Sequence, residues 1–293
     1  AVAVVAVGFG LMTSWMLGLW VSKPVSQLQR AALNVADGDL HARVDLLRSD
    51  DFGLLIERFN AMVDGLQHRE KLQETFGRHV GREAALQIMN QDEGLAGREQ
   101  NITVMFVDVR NFTSQSSSLS PSQVVAALNM FFQDAVEVIE SHGGMVNKFL
   151  GDGFMAIFGV GSATKGHANR AVLAGLELVD SVSHCEIRMR DAGWNDLKIG
   201  VGINTGLAVV GCIGSPKRQE YTAIGDTVNV AARVESLTKT LGQEILITRT
   251  TREELPSDIE VLELPSQTVK GKDRQIEVFG VNSPNQHPIQ ANV

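Results

Sequence analysis

Residues 145–158, Met-Val-Asn-Lys-Phe-Leu-Gly-Asp-Gly-Phe-Met-Ala-Ile-Phe, constrain this chain more than any other stretch. Two apolar runs flank Gly151-Asp152-Gly153, and an Asp-Gly pair between β-prone runs predicts a tight hairpin. Three features set it apart from a plain turn. Lys148 interrupts the first run, where an ordinary strand would place an apolar residue. Asp152 stands at the tip between two glycines, which let backbone and ligand approach closely. The run from Phe154 to Phe158 is apolar on both faces, the pattern of a buried central strand. A hairpin has little structural need for both a lysine and an aspartate there.

The elements around it follow in order. Val104 to Val107 reads as a short buried strand that delivers Asp108 at its end, where a stiff backbone can fix a carboxylate for a hard cation. Ser120-Pro121-Ser122-Gln123 is a helix start, with Ser120 as N-cap and Gln123 closing a capping box. Val124, Leu128, Phe131, Phe132, Ala135, Val138 and Ile139 give that helix one broad apolar face. A second helix is predicted from about His167 to Arg190. Two strands should follow, Leu197 to Ile203 and Leu207 to Ile213, reversing through Asn204-Thr205-Gly206. Strand–helix–strand–strand–helix–strand is the split βαβ pattern, so the predicted fold class is α+β, ferredoxin-like βαββαβ. Tyr221 to Ile224 leads into a helix from about Asp226 to Thr238, on which Asn229 and Arg233, four apart, share a face. Short strands near 244–248, 259–264 and 276–281 complete the sheet. Two glycine groupings, 161–166 and 200–206, lack the spacing of a P-loop or a dinucleotide fingerprint and read as structural punctuation.

Ahead of this region, Ala1 to Ser22 carries no charge, and Trp15 and Trp20 lie near its end with Lys23, Arg30 and Arg43 beyond. That pattern predicts a transmembrane helix over 1–22, the end of a longer membrane region, with its C-terminal end in the cytoplasm. The implied localisation is the cell membrane with a cytoplasmic C-terminal region. Val25, Leu28, Ala32 and Val35, then Phe52, Leu55, Phe59, Met62 and Leu66, form two heptad seams separated by Gly38-Asp39-Leu40. With Pro24 after the apolar run, Leu40 and Val44 in the connector and Asp51-Phe52-Gly53 opening the second helix, residues 23–71 resemble the HAMP domain of membrane receptors. The resemblance implies a parallel four-helix bundle made by two chains. Residues 72–98 read as a helical linker, in which Phe76-Gly77-Arg78-His79-Val80 looks like a coupling element, and 284–293 as a flexible tail. A net charge of −8 argues against a general nucleic-acid binder, which would carry a basic stripe. Cys185 and Cys212 show neither metal-ligand nor disulfide spacing.

Four stretches then carry a second resemblance: Phe106-Val107-Asp108-Val109-Arg110-Asn111-Phe112, Asn147-Lys148-Phe149-Leu150-Gly151-Asp152-Gly153, the run Tyr221 to Arg233, and Val269-Lys270-Gly271-Lys272. In this order they resemble the class III nucleotidyl cyclases, over residues 99–283. The resemblance implies that Asp108 and Asp152, with the Val109 carbonyl, bind two Mg²⁺ or Mn²⁺ ions per site. It implies that Asn229 orients the ribose and Arg233 stabilises the α-phosphate in the transition state. Lys270 would bind the β- and γ-phosphates, with Lys272 the neighbour it can be confused with. Lys148 and Thr222 would read the base, and a Lys–Thr pair in this family accompanies ATP. A lysine meets the protonated N1 of guanine donor to donor. In such enzymes the metal residues of one subunit face the base and phosphate residues of the other, so a homodimer holds two equal sites.

The expected function is therefore a membrane-anchored adenylate cyclase that converts ATP to cyclic AMP and pyrophosphate and is regulated through its HAMP segment. Two alternatives stand beside it. One is a guanylate cyclase; the other is a catalytically silent dimerisation and relay module, against which the complete residue set argues. A diguanylate cyclase is excluded, because Gly143-Gly144 continues as Met145-Val146 rather than with two acidic residues.

Overall fold

The computed structural model describes residues 2–80, 97–161, 164–189, 194, 197–215, 217–267 and 275–281. They divide into two compact units, Ala1–Arg78 and His79–Val293.

The first unit opens with α1 (Val2–Leu17), passes through a π-helical turn at Gly18–Ser22 and continues as α2 (Lys23–Ala36). After the connector, α3 runs from Asp51 to Val80. The transmembrane helix predicted over 1–22 does not form as one α-helix. The 16 residues of α1 stop at Leu17, where the backbone widens into the π-turn at Gly18. Among the described residues no helix is long and apolar enough to cross a membrane. Two residues of the predicted seams, Leu28 and Phe59, pack in the core of this unit. Ala31, Val44 and Ile56 are buried with Leu28, Leu46 and Phe59 against them, while Val25, Leu55 and Met62 stay about half exposed. The connector is pinned by Asn60, whose side chain accepts from Val44 N at 3.2 Å and donates to Val44 O at 3.1 Å. The predicted linker 72–98 is helical through Val80, and 81–96 lie outside the described residues.

In the second unit the order is β1 (Arg98–Val109), α4 (Phe112–Ser116), α5 (Pro121–Ser141), β2 (Gly144–Leu150), β3 (Gly153–Phe158), α6 (His167–Met189), β4 (Ile199–Ser215), β5 (Arg218–Ile224), α7 (Asp226–Leu241), β6 (Ile245–Thr248), α8 (Arg249–Glu253), β7 (Val261–Glu263) and β8 (Val278–Val281). One sheet holds the strands in the order β2-β3-β1-β4-β6-β8-β7, with β5 paired to β4. Its first four strands, all antiparallel, are the split βαβ core that the element order predicts. The capping box at Ser120 and Gln123 is formed as expected.

Alternation along the central strands explains why they are apolar on both faces. Met105, Val107, Phe154, Ala156 and Phe158 pack with Phe131, Ala135 and Ile139 of α5 and Ala171 and Leu178 of α6. Ile102, Val104, Met155 and Ile157 face the other way, into a cluster that includes Ala231 of α7. A sheet covered on both sides needs no polar face.

One prediction is corrected here. The expected strands at 197–203 and 207–213 are a single 17-residue strand, β4, and Asn204-Thr205-Gly206 is not a turn. The polar pair is spent inside. Asn204 donates to Thr227 O at 2.9 Å, and the Thr205 hydroxyl lies 2.8 Å from that of Thr103 and 3.1 Å from that of Thr251. These partners satisfy the side chains within the core, so the backbone has no cause to turn out to water.

Helix α7 lies close on β4 because Gly202 has no side chain: a Cβ there would run into the Glu235 backbone. Gly202→Ala is therefore expected to lower unfolding stability by about 1–3 kcal/mol, the range for over-packing a core. The check is a lower urea midpoint at an unchanged m-value.

Candidate active site

Strand β1 ends at Asp108 and Val109, next to the tip of the β2–β3 hairpin. The register pairs Asp108 with Gly153 on one side and with Gly200 on the other. The glycine after Asp152 is required by this contact, since a Cβ at Gly153 would strike Val107 O and come within 2.9 Å of Asp108 Oδ1. Arg110 N donates to Lys198 O at 2.7 Å, so that amide faces β4. Backbone groups alternate along a strand, which turns the Val109 carbonyl the other way, to the side of the hairpin tip, as Val107 O is. Asp108 and Asp152 thus lie in one another's electrostatic field, with the Val109 carbonyl turned to the same side.

Their electrostatics fit a cation. Burial pushes the Asp108 carboxyl above its ordinary range, the nearby Asp152 charge pushes it further, and Arg110 pulls it back. Sequence reasoning missed a third carboxylate in the same field, Glu235 on α7. Burial first, then the charge of Asp108 and, more weakly, Asp152, carry it up to about 7 against the pull of Arg110 and a Ser236 hydrogen bond. Arg110 itself is tied to Thr238 of α7. Carboxylates that repel one another in a half-buried site favour a bound divalent ion. Among the described residues no group of three or more His, Cys, Asp or Glu side chains is placed to coordinate a metal. Two carboxylates and a carbonyl nonetheless suit Mg²⁺, which takes one or two carboxylates and fills its shell with water and substrate phosphates.

A second set forms on β2 and β5. Lys148 Nζ lies 3.5 Å from Glu220 Oε2. Thr222, buried, donates its hydroxyl to Asn147 Oδ1 at 2.9 Å, and Asn147 Nδ2 donates to Tyr221 O at 2.6 Å. On α7, Asn229 is exposed. Arg233 is half-buried, and its Nη1, shielded from solvent, has no hydrogen-bond partner among the described residues. Predicted Lys270 and Lys272 lie outside the described residues.

A split βαβ sheet with an aspartate at the end of its first strand, a second on the neighbouring hairpin and an Asn-x₃-Arg helix defines a class III nucleotidyl cyclase domain. The family model for the adenylate and guanylate cyclase catalytic domain matches residues 95–282, and that for the HAMP domain matches 16–68. The chain belongs to the adenylate and guanylate cyclase family, with a HAMP domain ahead of the catalytic one. An uncharacterized protein of Mycobacterium tuberculosis and one of Mycobacterium bovis are each 33% identical over 84% of this chain and 44% of their own length. The chain thus spans less than half the length of these relatives. Among solved structures, the guanylyl cyclase Cya2 is 35% identical with a TM-score of 0.59, covering 65% of this chain and 97% of its own. The adenylyl cyclase CyaB from P. aeruginosa is 31% identical with a TM-score of 0.60, covering 64% and 96%.

Proposed function

We propose that this chain is an adenylate cyclase: it converts ATP to 3′,5′-cyclic AMP and pyrophosphate in two equal sites shared across a homodimer. The ribose 3′-oxygen forms a bond to the α-phosphorus, the bond from that phosphorus to the bridging oxygen breaks, and pyrophosphate leaves with the electron pair. The 3′-hydroxyl proton passes to solvent. The observation that carries the reading is the closeness of Asp108, at the end of β1, to Asp152, whose charge adds to burial in raising the Asp108 pKa. With the Val109 carbonyl they are the residues that would hold two Mg²⁺ or Mn²⁺ ions. Such ions would activate the attacking oxygen and neutralise charge on the leaving phosphates.

The base reading rests on Lys148 and Thr222. Relatives of known structure include a guanylyl and an adenylyl cyclase at similar identity, so overall likeness does not separate ATP from GTP. Lys148 offers a donor suited to the unprotonated N1 of adenine, and Thr222 an oxygen suited to its exocyclic amine. Asn229 would orient the ribose, Arg233 would meet the α-phosphate, and Lys270 the outer phosphates. A dimer is supported by the apolar side chains left exposed around these residues, Phe149, Leu150, Leu207, Val209 and Ile224. We read the HAMP domain as the regulatory input to that dimer.

The test is the purified chain with Mn²⁺ and either ATP or GTP, reading cyclic product. Cyclic AMP should form from ATP at a rate well above cyclic GMP from GTP, and a chelator should abolish both until Mn²⁺ is restored. A preference for GTP would overturn the base reading, and turnover that survives complete metal removal would overturn the metal reading.

A further inference from the structure

Thr222 alone is an ambiguous reader of a purine, because a hydroxyl both donates and accepts. An amine at the 6-position, as in adenine, needs an acceptor; a 6-oxo group, as in guanine, needs a donor. Which of the two Thr222 presents depends on where its single proton goes.

The surroundings settle that. In strand β2, Val146 pairs with Ala156 and Lys148 with Met155, so Asn147 is the extra residue of a β-bulge with nothing opposite it. A bulge re-aims the side chain it carries. This one reaches β5, where its Nδ2 donates to Tyr221 O at 2.6 Å and its Oδ1 lies 2.9 Å from Thr222 Oγ1. The amide cannot be turned over, since its oxygen would then face the Tyr221 carbonyl oxygen at hydrogen-bond distance. Carbonyl Oδ1 therefore faces Thr222, and the buried hydroxyl must donate to it. Thr222 keeps only lone pairs for a ligand.

We propose that Asn147 is a positioning residue for base selectivity: it commits the Thr222 proton, leaves that oxygen an acceptor only, and so favours a 6-aminopurine nucleotide over a 6-oxopurine one. The same bulge sets Lys148, the next residue, in register beside it. This inference rests on the reading that Lys148 and Thr222 meet the base. A guanine 6-oxo group would face an oxygen that has no proton to give.

The experiment measures kcat/KM for ATP and for GTP with Mn²⁺, using the full chain. Asn147→Ala frees the hydroxyl to rotate and donate, so the ATP-to-GTP ratio should fall about tenfold, the equivalent of one hydrogen bond. A merely structural role would lower both substrates together and leave the ratio alone. Thr222→Val removes the hydroxyl, and in that background Asn147→Ala should change the ratio by less than about twofold, as expected if the two act as one unit. If Asn147→Ala does not fold, Asn147→Ser serves. Its side chain is too short to bridge to β5 and frees the Thr222 hydroxyl in the same way, so the ratio should again fall about tenfold, and an unmoved ratio would count against the proposal. Where turnover is absent, the ratio of dissociation constants for ATP and GTP is read instead. A wild-type chain that prefers GTP overturns both the adenylate reading and this one. A wild-type chain that prefers ATP, with the ratio unmoved in Asn147→Ala, overturns the role of Asn147 alone.

Discussion

Asp108→Asn is expected to cut cyclic AMP formation about a thousandfold, roughly 4 kcal/mol of transition-state stabilisation, while leaving the fold as stable as before or more so. The two effects have one cause. Asp108 is held half-buried at the end of β1 beside Asp152, and both burial and that neighbour raise its pKa above the ordinary carboxylate range. A raised acid favours its neutral form in the folded chain, so ionisation works against folding as pH climbs from the ordinary carboxylate pKa through the raised one. At neutral pH the wild-type chain without metal carries that strain in full, and the neutral amide removes it. The melting midpoint of Asp108→Asn should therefore equal or exceed that of the wild type above the window and converge with it at acid pH. Mn²⁺ should reverse the ranking. At about 100 times its dissociation constant a ligand of the folded state adds about 2.7 kcal/mol, and this gain should appear in the wild type and largely vanish in Asp108→Asn. Activity that survives the substitution, or a midpoint that falls at neutral pH without metal, would remove Asp108 from the metal site.

Much of this site was legible because it is built from local signals. The Asp-Gly turn, the apolar run from Phe154 to Phe158 and the Ser120–Gln123 cap each specify backbone within a few residues, and each forms where expected. What stayed hidden depends on partners distant in the chain. Asn204-Thr205-Gly206 has the composition of a turn, yet Thr103, Thr227, Thr248 and Thr251 supply buried hydrogen bonds that hold it in a strand. Glu235 reads as an ordinary helix surface residue until α7 is laid against Gly202, which brings it into the field of Asp108. The signal available was the small residue at 202, not the glutamate. In the first unit, Leu28 and Phe59 of the predicted seams pack beside Ala31 and Ile56, while Ala32 and Leu55 are exposed in the single chain. In the uncharged opening run, hydropathy likewise does not reveal the π-turn at Gly18–Ser22 that follows α1.

Chains carrying Asp152→Ala and chains carrying Arg233→Ala should each be nearly inactive alone and should regain about a quarter of wild-type activity when co-expressed in equal amounts. The motive is the state of Arg233. Its Nη1 is shielded from solvent and has no acceptor among the described residues. A guanidinium hydrogen bond left unmade in a buried place carries a cost unless a further acceptor completes it. A phosphate held by the metal aspartates of a second subunit would do so, in a geometry that suits the planar fork. Loss of that contact should cost roughly a hundredfold to a thousandfold in kcat, as for other donors aimed at developing charge. In a random mixture about half of the dimers pair one chain of each kind. Such a dimer has one site with both defects and one with neither, which sets the recovery near a quarter. Placing both substitutions on one chain sharpens the test. A dimer of that chain with a wild-type partner has one defect in each site, so the activity of an equal mixture should fall to about a quarter of the all-wild-type value. If each chain instead closed its own site, the first mixture would recover nothing and the second would keep about half. Either result would confine the site to a single chain, and Arg233 would then need an acceptor from its own subunit.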